Sequence, residues 1–466
     1  MRRRVIARTV ICALALAMVG AACSRSESDS GGGSSTTTTG GGGASASGSF
    51  AGLGKVCGPG SAKGATALGV TDTEIRVGTV ADPGFAGRPG LDQELHDAAT
   101  VFTKWCNDAG GIAGRKIKVD LLDAKLTEYR QRILEACGQD FSLVGGGAVF
   151  DDAGQKDRLD CLLPDIAGYV VSPQARGSDL LVQVMPNPNN EINNGDMQWL
   201  AKEFPDAAKH VAAMTAGLPS TIVVKDQAVE GGKAAGMTIV ADIQYNANGE
   251  NTWAPIVQAL KSKGVKGILW TGEPENLAKL EQGLKDANYP MDFIRPDANH
   301  YDQKLLDTGG KAIENTFVHA QIYPFEQAAQ NPATQQYLAL FKKYLPNGKA
   351  KSYLGVQAFS AWLLFAKGAT ACGSKLTRAC ILDKTKQVGG TSWTGGGLHG
   401  ASNVREQQAT ECFTVFKASP NGFSLPNIGA NDSIYNCSPS NVLQLKGDYG
   451  KGVTLADVGK SLSDLK

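Results

Sequence analysis

From about residue 70 the apolar positions switch repeatedly between two spacings. In Ile75-Arg76-Val77-Gly78-Thr79-Val80 they alternate, as in a strand with one buried face. Leu91, Leu95, Ala98, Ala99, Phe102, Trp105 and Cys106 then recur three and four apart, which predicts a helix. Gly110-Gly111 stops it, because glycine accepts the left-handed conformation that ends many helices. Ile117 to Leu121 alternates as a second strand, and Thr127 is placed to cap a helix over Glu128 to Cys137. A short strand at Ser142 to Val144 runs into Gly145-Gly146-Gly147. A helix near Asp152 to Leu162 and a strand near Asp165 to Ala167 follow.

A second series begins after Pro186. It predicts helices at Asn190 to Phe204, Ser220 to Gly236, Trp253 to Lys263 and Glu275 to Ala287. Strands fall between and after them, at His210 to Thr215, Met237 to Ile243, Gly267 to Trp270, Asp292 to Arg295 and Thr316 to Ala320. Repeated strand–helix units build parallel sheets covered by helices on both faces. Two series predict an α/β protein of two doubly wound, Rossmann-like lobes.

The first 65 residues break this pattern. Arg2, Arg3, Arg4 and Arg8 precede an apolar stretch from Val10 to Val19. That stretch is far shorter than the roughly 20 residues of a spanning helix. Gly20-Ala21-Ala22-Cys23 follows, small residues of the kind a signal peptidase accepts. The segment resembles a bacterial lipobox, with Gly20 where Leu is usual. The resemblance implies a signal peptide over 1–22 and lipidation of Cys23. An ordinary signal peptide with an incidental Cys is the alternative. Ser24 to Ser49 is rich in Ser, Thr and Gly and nearly free of apolar side chains, too little to offset the entropy of ordering. A flexible tether is expected over 23–65.

Composition narrows the function. With 42% hydrophobic and 20% charged residues the chain can bury a proper core, and 466 residues leave room for two lobes. Lys+Arg (46) balances Asp+Glu (45), without the basic excess of a nucleic-acid binder. Apart from Cys12 and Cys23 there are eight cysteines, and an even number in an exported chain suggests disulfides. Pairing of sequence neighbours gives 57–106, 137–161, 372–380 and 412–437. No CxxC spacing supports zinc, and the five histidines form no HExxH pair. Neither a GxSxG elbow nor a GxGxxG after the first strand occurs, and no Gly-Lys-Ser/Thr follows Gly147. No catalytic residue, cofactor or metal is expected.

The stretch Asn107-Asp108-Ala109-Gly110-Gly111-Ile112-Ala113-Gly114-Arg115-Lys116-Ile117 resembles the N-x-x-G-G-I-x-G-x-x-I segment of a known family. That family comprises the periplasmic solute-binding proteins of the leucine/isoleucine/valine-binding type. Asp123 closing the second strand, and the spacing of Tyr323 to Tyr344 and Tyr353 to Cys372, extend the resemblance over about 70–430. It implies a type I venus-flytrap fold with a three-strand hinge. Lobe 1 would be 66–186 with 324–403, lobe 2 would be 187–323 with 404–430, and 431–466 an extension. The hinge would lie at Met185-Pro186-Asn187, Gln321-Ile322-Tyr323 and around Asn403. The implied function is capture of a small molecule for the permease and ATPase subunits of an ABC importer. The implied form is a monomer anchored to the outer face of the cell membrane.

Ligands of open α/β sheets bind beyond the carboxyl ends of the strands. That rule nominates Asp82, Phe85, Ala148, Phe150 and Tyr169 in lobe 1. In lobe 2 it nominates Thr215, Thr271, Glu273, Asp297, Asn299 and Tyr301, with Tyr323 at the hinge. Pro296-Asp297-Ala298 is similar to the family's Pro-Glu-Gly stretch, whose acid meets a ligand ammonium, and this implies that role for Asp297. Glu273 is a neighbouring candidate, although Glu273-Pro274 also suits a helix start. Tyr169 and Phe150 also suit interlobe packing, His300 a polar turn, and Trp105 and Trp362 the core. Ala148-Val149-Phe150 and Tyr169-Val170-Val171 stand where the family has hydroxyl donors for a carboxylate. An apolar or aromatic ligand bearing an amine is therefore expected beside the plain amino acid. A ligand-sensing subunit for a signalling partner and an extracellular hydrolase are the rival functions.

Overall fold

The computed structural model describes residues 47–465. The expected signal peptide, Cys23 and the tether up to residue 46 lie outside the described residues. Five parallel strands form the sheet of lobe 1: β1 (Glu74–Ala81), β2 (Lys116–Asp123), β3 (Leu143–Val144), β4 (Asp165–Ala167) and β5 (Leu181–Gln183). Their order is β2-β1-β3-β4-β5. β1 starts with alternating burial and becomes wholly buried, because both faces are covered. Ile75, Val77 and Ala81 pack with the helices Gln93–Asp108 and Tyr353–Cys372. There Phe102 stacks on Trp362 at 5.4 Å, and Phe359 meets Phe102 edge-on at 5.5 Å. Val80 and Leu122 pack on the other side against Tyr129, Ile133 and Ala136 of the helix Tyr129–Gln139. The glycine stop forms as predicted, with φ of 112° at Gly110 and 84° at Gly111. A Cβ on Gly111 would lie 2.1 Å from the Arg115 carbonyl oxygen.

Lobe 2 holds β6 (Glu191–Asn193), β7 (Val211–Ala216), β8 (Ile239–Tyr245), β9 (Gly267–Thr271), β10 (Phe293–Pro296) and β11 (Phe317–Ala320). A parallel sheet runs β10-β9-β7-β8, and a bridge from Ile294 to Thr316 leads toward β11. β12 (Cys412–Ser419) pairs antiparallel with β11, β13 (Gly422–Ser424) and β14 (Asn436–Cys437). The helix expected from Asn190 begins only at Gly195, because residues 191–193 form β6 against β15 (Val442–Gln444). A partner strand so distant in sequence leaves no local signal.

The chain passes between the lobes at 184–190, 321–323 and 400–411, and once more in the tail between 449 and 453. The second and third lie side by side: Tyr323 N–H donates to Leu398 O at 2.9 Å, and Gly400 N–H to Gln321 O at 2.8 Å. The eight cysteines pair as sequence neighbours: Cys57–Cys106, Cys137–Cys161, Cys372–Cys380 and Cys412–Cys437.

The tether expected over 23–65 needs correction at its far end. Phe50 is fully buried, 6.1 Å from Trp105 and 5.4 Å from Phe359 between ring centroids. Trp105 Nε1 donates to Ser47 O at 2.8 Å, and Cys57 is bonded to Cys106. Apolar Phe50 and Val56 join the lobe 1 core. The tail is also ordered. Past β15, the N–H groups of Lys446 and Gly447 and the Tyr449 hydroxyl donate to Glu230 on the lobe 2 helix Pro219–Ala234. The tail then crosses to lobe 1, where Val453 N–H donates to Gln174 O at 3.1 Å. Leu455 is buried there with Leu159 and Leu180.

Candidate functional site

A cleft of about 320 Å³ opens between the lobes. Its walls are the segments beyond the carboxyl ends of β1, β4, β5, β9 and β10, with the late helix Tyr353–Cys372 and the hinge contributing. Of the nominated residues, Tyr169, Thr271, Glu273, Asp297 and Asn299 line it. Tyr169 leans over Gly147, where a Cβ would lie 2.3 Å from its ring, and its hydroxyl donates to Asp92 Oδ2 at 2.8 Å. Asn299 Nδ2 donates to Gly272 O at 3.2 Å, which ties the loops after β9 and β10 together.

The other nominated residues are placed elsewhere. Asp82 is fully buried and accepts the N–H groups of Leu126 (2.7 Å) and Val149 (3.0 Å), so it clamps two loops. Ala148 sits in the core under β1. Phe85 and Phe150 are half-buried off the cleft wall. Thr215 is buried and donates to Ala216 O at 3.1 Å. Tyr301 stacks on Phe325 at 5.4 Å and donates to Glu326 Oε2 at 2.5 Å. Tyr323 is buried in the hinge beside the cleft. The carboxyl-end rule selects loops, and it carries no information on which way each side chain turns.

Several cleft residues had not been nominated. Arg88 of lobe 1 forms ion pairs with Glu273 and Glu275 of lobe 2, the latter at 3.1 Å. Lys349 joins Glu94 of lobe 1 (3.0 Å) to Asp302 of lobe 2 (2.8 Å). The lobes are thus latched across the cleft mouth. Arg295 binds Asp196 at 2.6 Å and reaches Asp297 at 3.4 Å, with His319 Nδ1 3.3 Å from Asp196. A sequence signal existed for Arg295: it is a lone charge within the buried strand β10. Arg176 donates across the lobes to Gln227 Oε1 at 2.6 Å. Val149, Val170, Val171, Met185, Ile192 and Val224 supply apolar wall.

Electrostatics follow from this packing. Burial pushes Asp92 well above the usual carboxylate range, with Glu94 and Asp82 adding to it and the Tyr169 hydroxyl opposing. Burial likewise raises Asp297, while Arg295, His319 and Arg176 act to lower it. Burial pulls Arg176 down to about 10. His300, fully buried beside Asp297, is pulled down to about 3 by burial and is therefore a neutral turn residue at pH 7. Among the described residues no group of His, Cys, Asp and Glu is arranged to hold a metal.

The latch yields a prediction. The Arg88 pairs are partly exposed, so each is worth about 0.2–1 kcal/mol after solvent screening. Arg88→Ala removes both and should raise the open fraction by roughly twofold to thirtyfold, read as the distance distribution between spin labels on the two lobes. An unchanged distribution would show that the pairs do not hold the lobes together.

The profile of the periplasmic binding protein family matches residues 74–422. Among curated proteins none matches the chain in sequence. Solved structures are similar in fold. The leucine-binding protein LivK of Thermotoga maritima superposes with a TM-score of 0.62 at 13% identity, covering 75% of this chain and 97% of its own. A fatty acid ABC transporter substrate-binding protein of Thermomonospora curvata gives 0.62 at 18% identity, covering 79% and 97%. The branched-chain amino acid transporter substrate-binding protein LivJ of Streptococcus pneumoniae, solved with isoleucine, gives 0.61 at 14% identity, covering 76% and 100%.

Proposed function

The chain belongs to the periplasmic binding protein family, and from that premise we propose that it captures a small molecule between its lobes and delivers it to an ABC importer. The observation that carries this reading is the interlobe cleft, walled by both sheets' carboxyl ends and spanned by lobe-to-lobe ion pairs. Such a cleft closes on a ligand by shifting a two-state population, and the importer then distinguishes closed from open forms. Asp297 and Glu273 are the acceptors for an amine, and Val170, Val171 and Ile192 take an apolar body. The ligand is an amino acid, an amide or a related molecule with a hydrocarbon part. Such a part is common to the leucine, isoleucine and fatty acid of the relatives' names. Export and a lipid anchor at Cys23 belong to the same proposal.

A thermal-shift screen of the chain from Ser24 tests it, with amino acids, amides, polyamines, aromatic acids and small peptides. A true ligand at a hundred times its Kd stabilises the folded state by about 2.7 kcal/mol. The expected result is a clear rise in Tm with at least one class, lost in Asp297→Ala. A flat response across all classes sinks the receptor reading.

A further inference from the structure

Four Arg and Lys side chains line the cleft: Arg88, Arg176, Arg295 and Lys349. Three are neutralised by carboxylates, as described. Arg176 alone of these forms no ion pair. It is 5% exposed, and its Nε has no hydrogen-bond partner. Asp151 and Asp297 are near enough to act on its charge, but neither forms an ion pair with it. Asp151 accepts the N–H groups of Val171 (2.7 Å) and Ser172 (2.9 Å), and Asp297 lies against Arg295.

The orphan is held in place rather than loose. Arg176 ends the short helix Pro173–Arg176, which Ser172 caps by accepting Ala175 N–H at 3.2 Å. Its carbonyl accepts from Gln183 Nε2 at 3.2 Å. One guanidinium nitrogen is fixed on Gln227, which is itself anchored by donating to Asn189 O at 2.9 Å. A buried cation with no carboxylate in contact is costly, and a guanidinium's planar fork fits a carboxylate. A second orphan faces the same cleft: Gln357 Oε1, an acceptor on the helix Tyr353–Cys372.

We infer that Arg176 is the ligand's carboxylate anchor, so that the receptor takes small carboxylic acids with an apolar body and rejects their neutral analogues. Arg176 takes over from the hydroxyl donors that Ala148-Val149-Phe150 and Tyr169-Val170-Val171 lack. Gln357 Oε1 accepts an N–H or O–H elsewhere on the ligand. The inference rests on the receptor reading above, and its test separates the two.

The test is isothermal titration with matched probes: leucine and leucinamide, phenylacetate and phenylacetamide, octanoate and octanamide, with isoamylamine as a cation. Wild type should bind one or more of the acids, each amide being weaker by roughly tenfold to a hundredfold, the loss of a charge-assisted hydrogen bond. Arg176→Gln should bring acid and amide level, and Arg176→Lys should retain part of the preference. Equal binding of acid and amide by wild type overturns the inference. So does an Arg176→Gln variant that weakens both members of a pair equally, which is the mark of a positioning role. If Arg176→Gln does not fold, the wild-type acid-to-amide ratio decides alone. Binding of the amides or isoamylamine without the acids overturns the inference and leaves the receptor reading standing. No binding by any probe overturns it, and the broader thermal-shift screen then judges the receptor reading.

Discussion

Asp196→Ala should lower the stability of the fold by about 3–5 kcal/mol, the usual effect of breaking a buried ion pair from one side. Asp196 is 1% exposed in the first turn of the helix Gly195–Glu203. Its Oδ2 accepts from Arg295 Nε at 2.6 Å. Removing it leaves the Arg295 guanidinium buried with only Asp297 at 3.4 Å. The effect also depends on pH. Burial works against ionisation of Asp196, but Arg295 and His319 outweigh it and hold the carboxyl well below its ordinary value. A group depressed in the folded state stabilises fully above its unfolded pKa, about 3.9 for Asp, and loses that contribution as pH falls further. Urea unfolding of wild type and variant should therefore differ most at neutral pH, the gap narrowing below about pH 4. A gap that is constant with pH would mean that packing, and not the charge, dominates at this site.

Phe359→Ala should remove a similar amount, about 3–5 kcal/mol, through lost burial and the cavity left behind. Phe359 is fully buried, with Phe50, Phe102, Trp105 and Tyr337 ring centroids 5.2–6.4 Å away. It lies on the helix Tyr353–Cys372, far in sequence from the helix Gln93–Asp108 that it packs against, so it joins three separate stretches of chain. Loss of its ring should also loosen Phe50, and limited proteolysis should then cut within residues 47–56 before the rest unfolds. Phe359 does not line the cleft, so ligand affinity of the folded fraction should hold. A stability change within about 0.5 kcal/mol, typical of a surface site, would show that the aromatic cluster closes over the gap.

Much of the scaffold was legible in the sequence because its signals are local. The alternation in Ile75 to Val80 and the glycine pair at 110–111 need only a few neighbours to be read. They reappear as β1 and the end of the helix Gln93–Asp108. What depended on distant partners was hidden. β6 reads as helix until β15 pairs with it, and residues 47–65 read as tether until Phe50 meets Phe359. The cleft divides in the same way. Position after a strand end found Tyr169, Thr271, Glu273, Asp297 and Asn299. It also picked Asp82 and Tyr301, whose polar atoms turn to loop backbone and to Glu326. It passed over Lys349 and Gln357, which reach the cleft from the returning chain. Arg176 falls beyond a strand end too, but nothing in Pro173-Gln174-Ala175-Arg176 shows that its guanidinium goes unpaired.

Both described ends of the chain attach to lobe 1, one through the Cys57–Cys106 bond and the other through Leu455 against Leu159 and Leu180. A pull on residue 47 is borne within lobe 1 by the Cys57–Cys106 bond, and the connections at 184–190, 321–323 and 400–411 are not in its path. A hold on residue 47 would therefore ground lobe 1 and leave the relative motion to lobe 2.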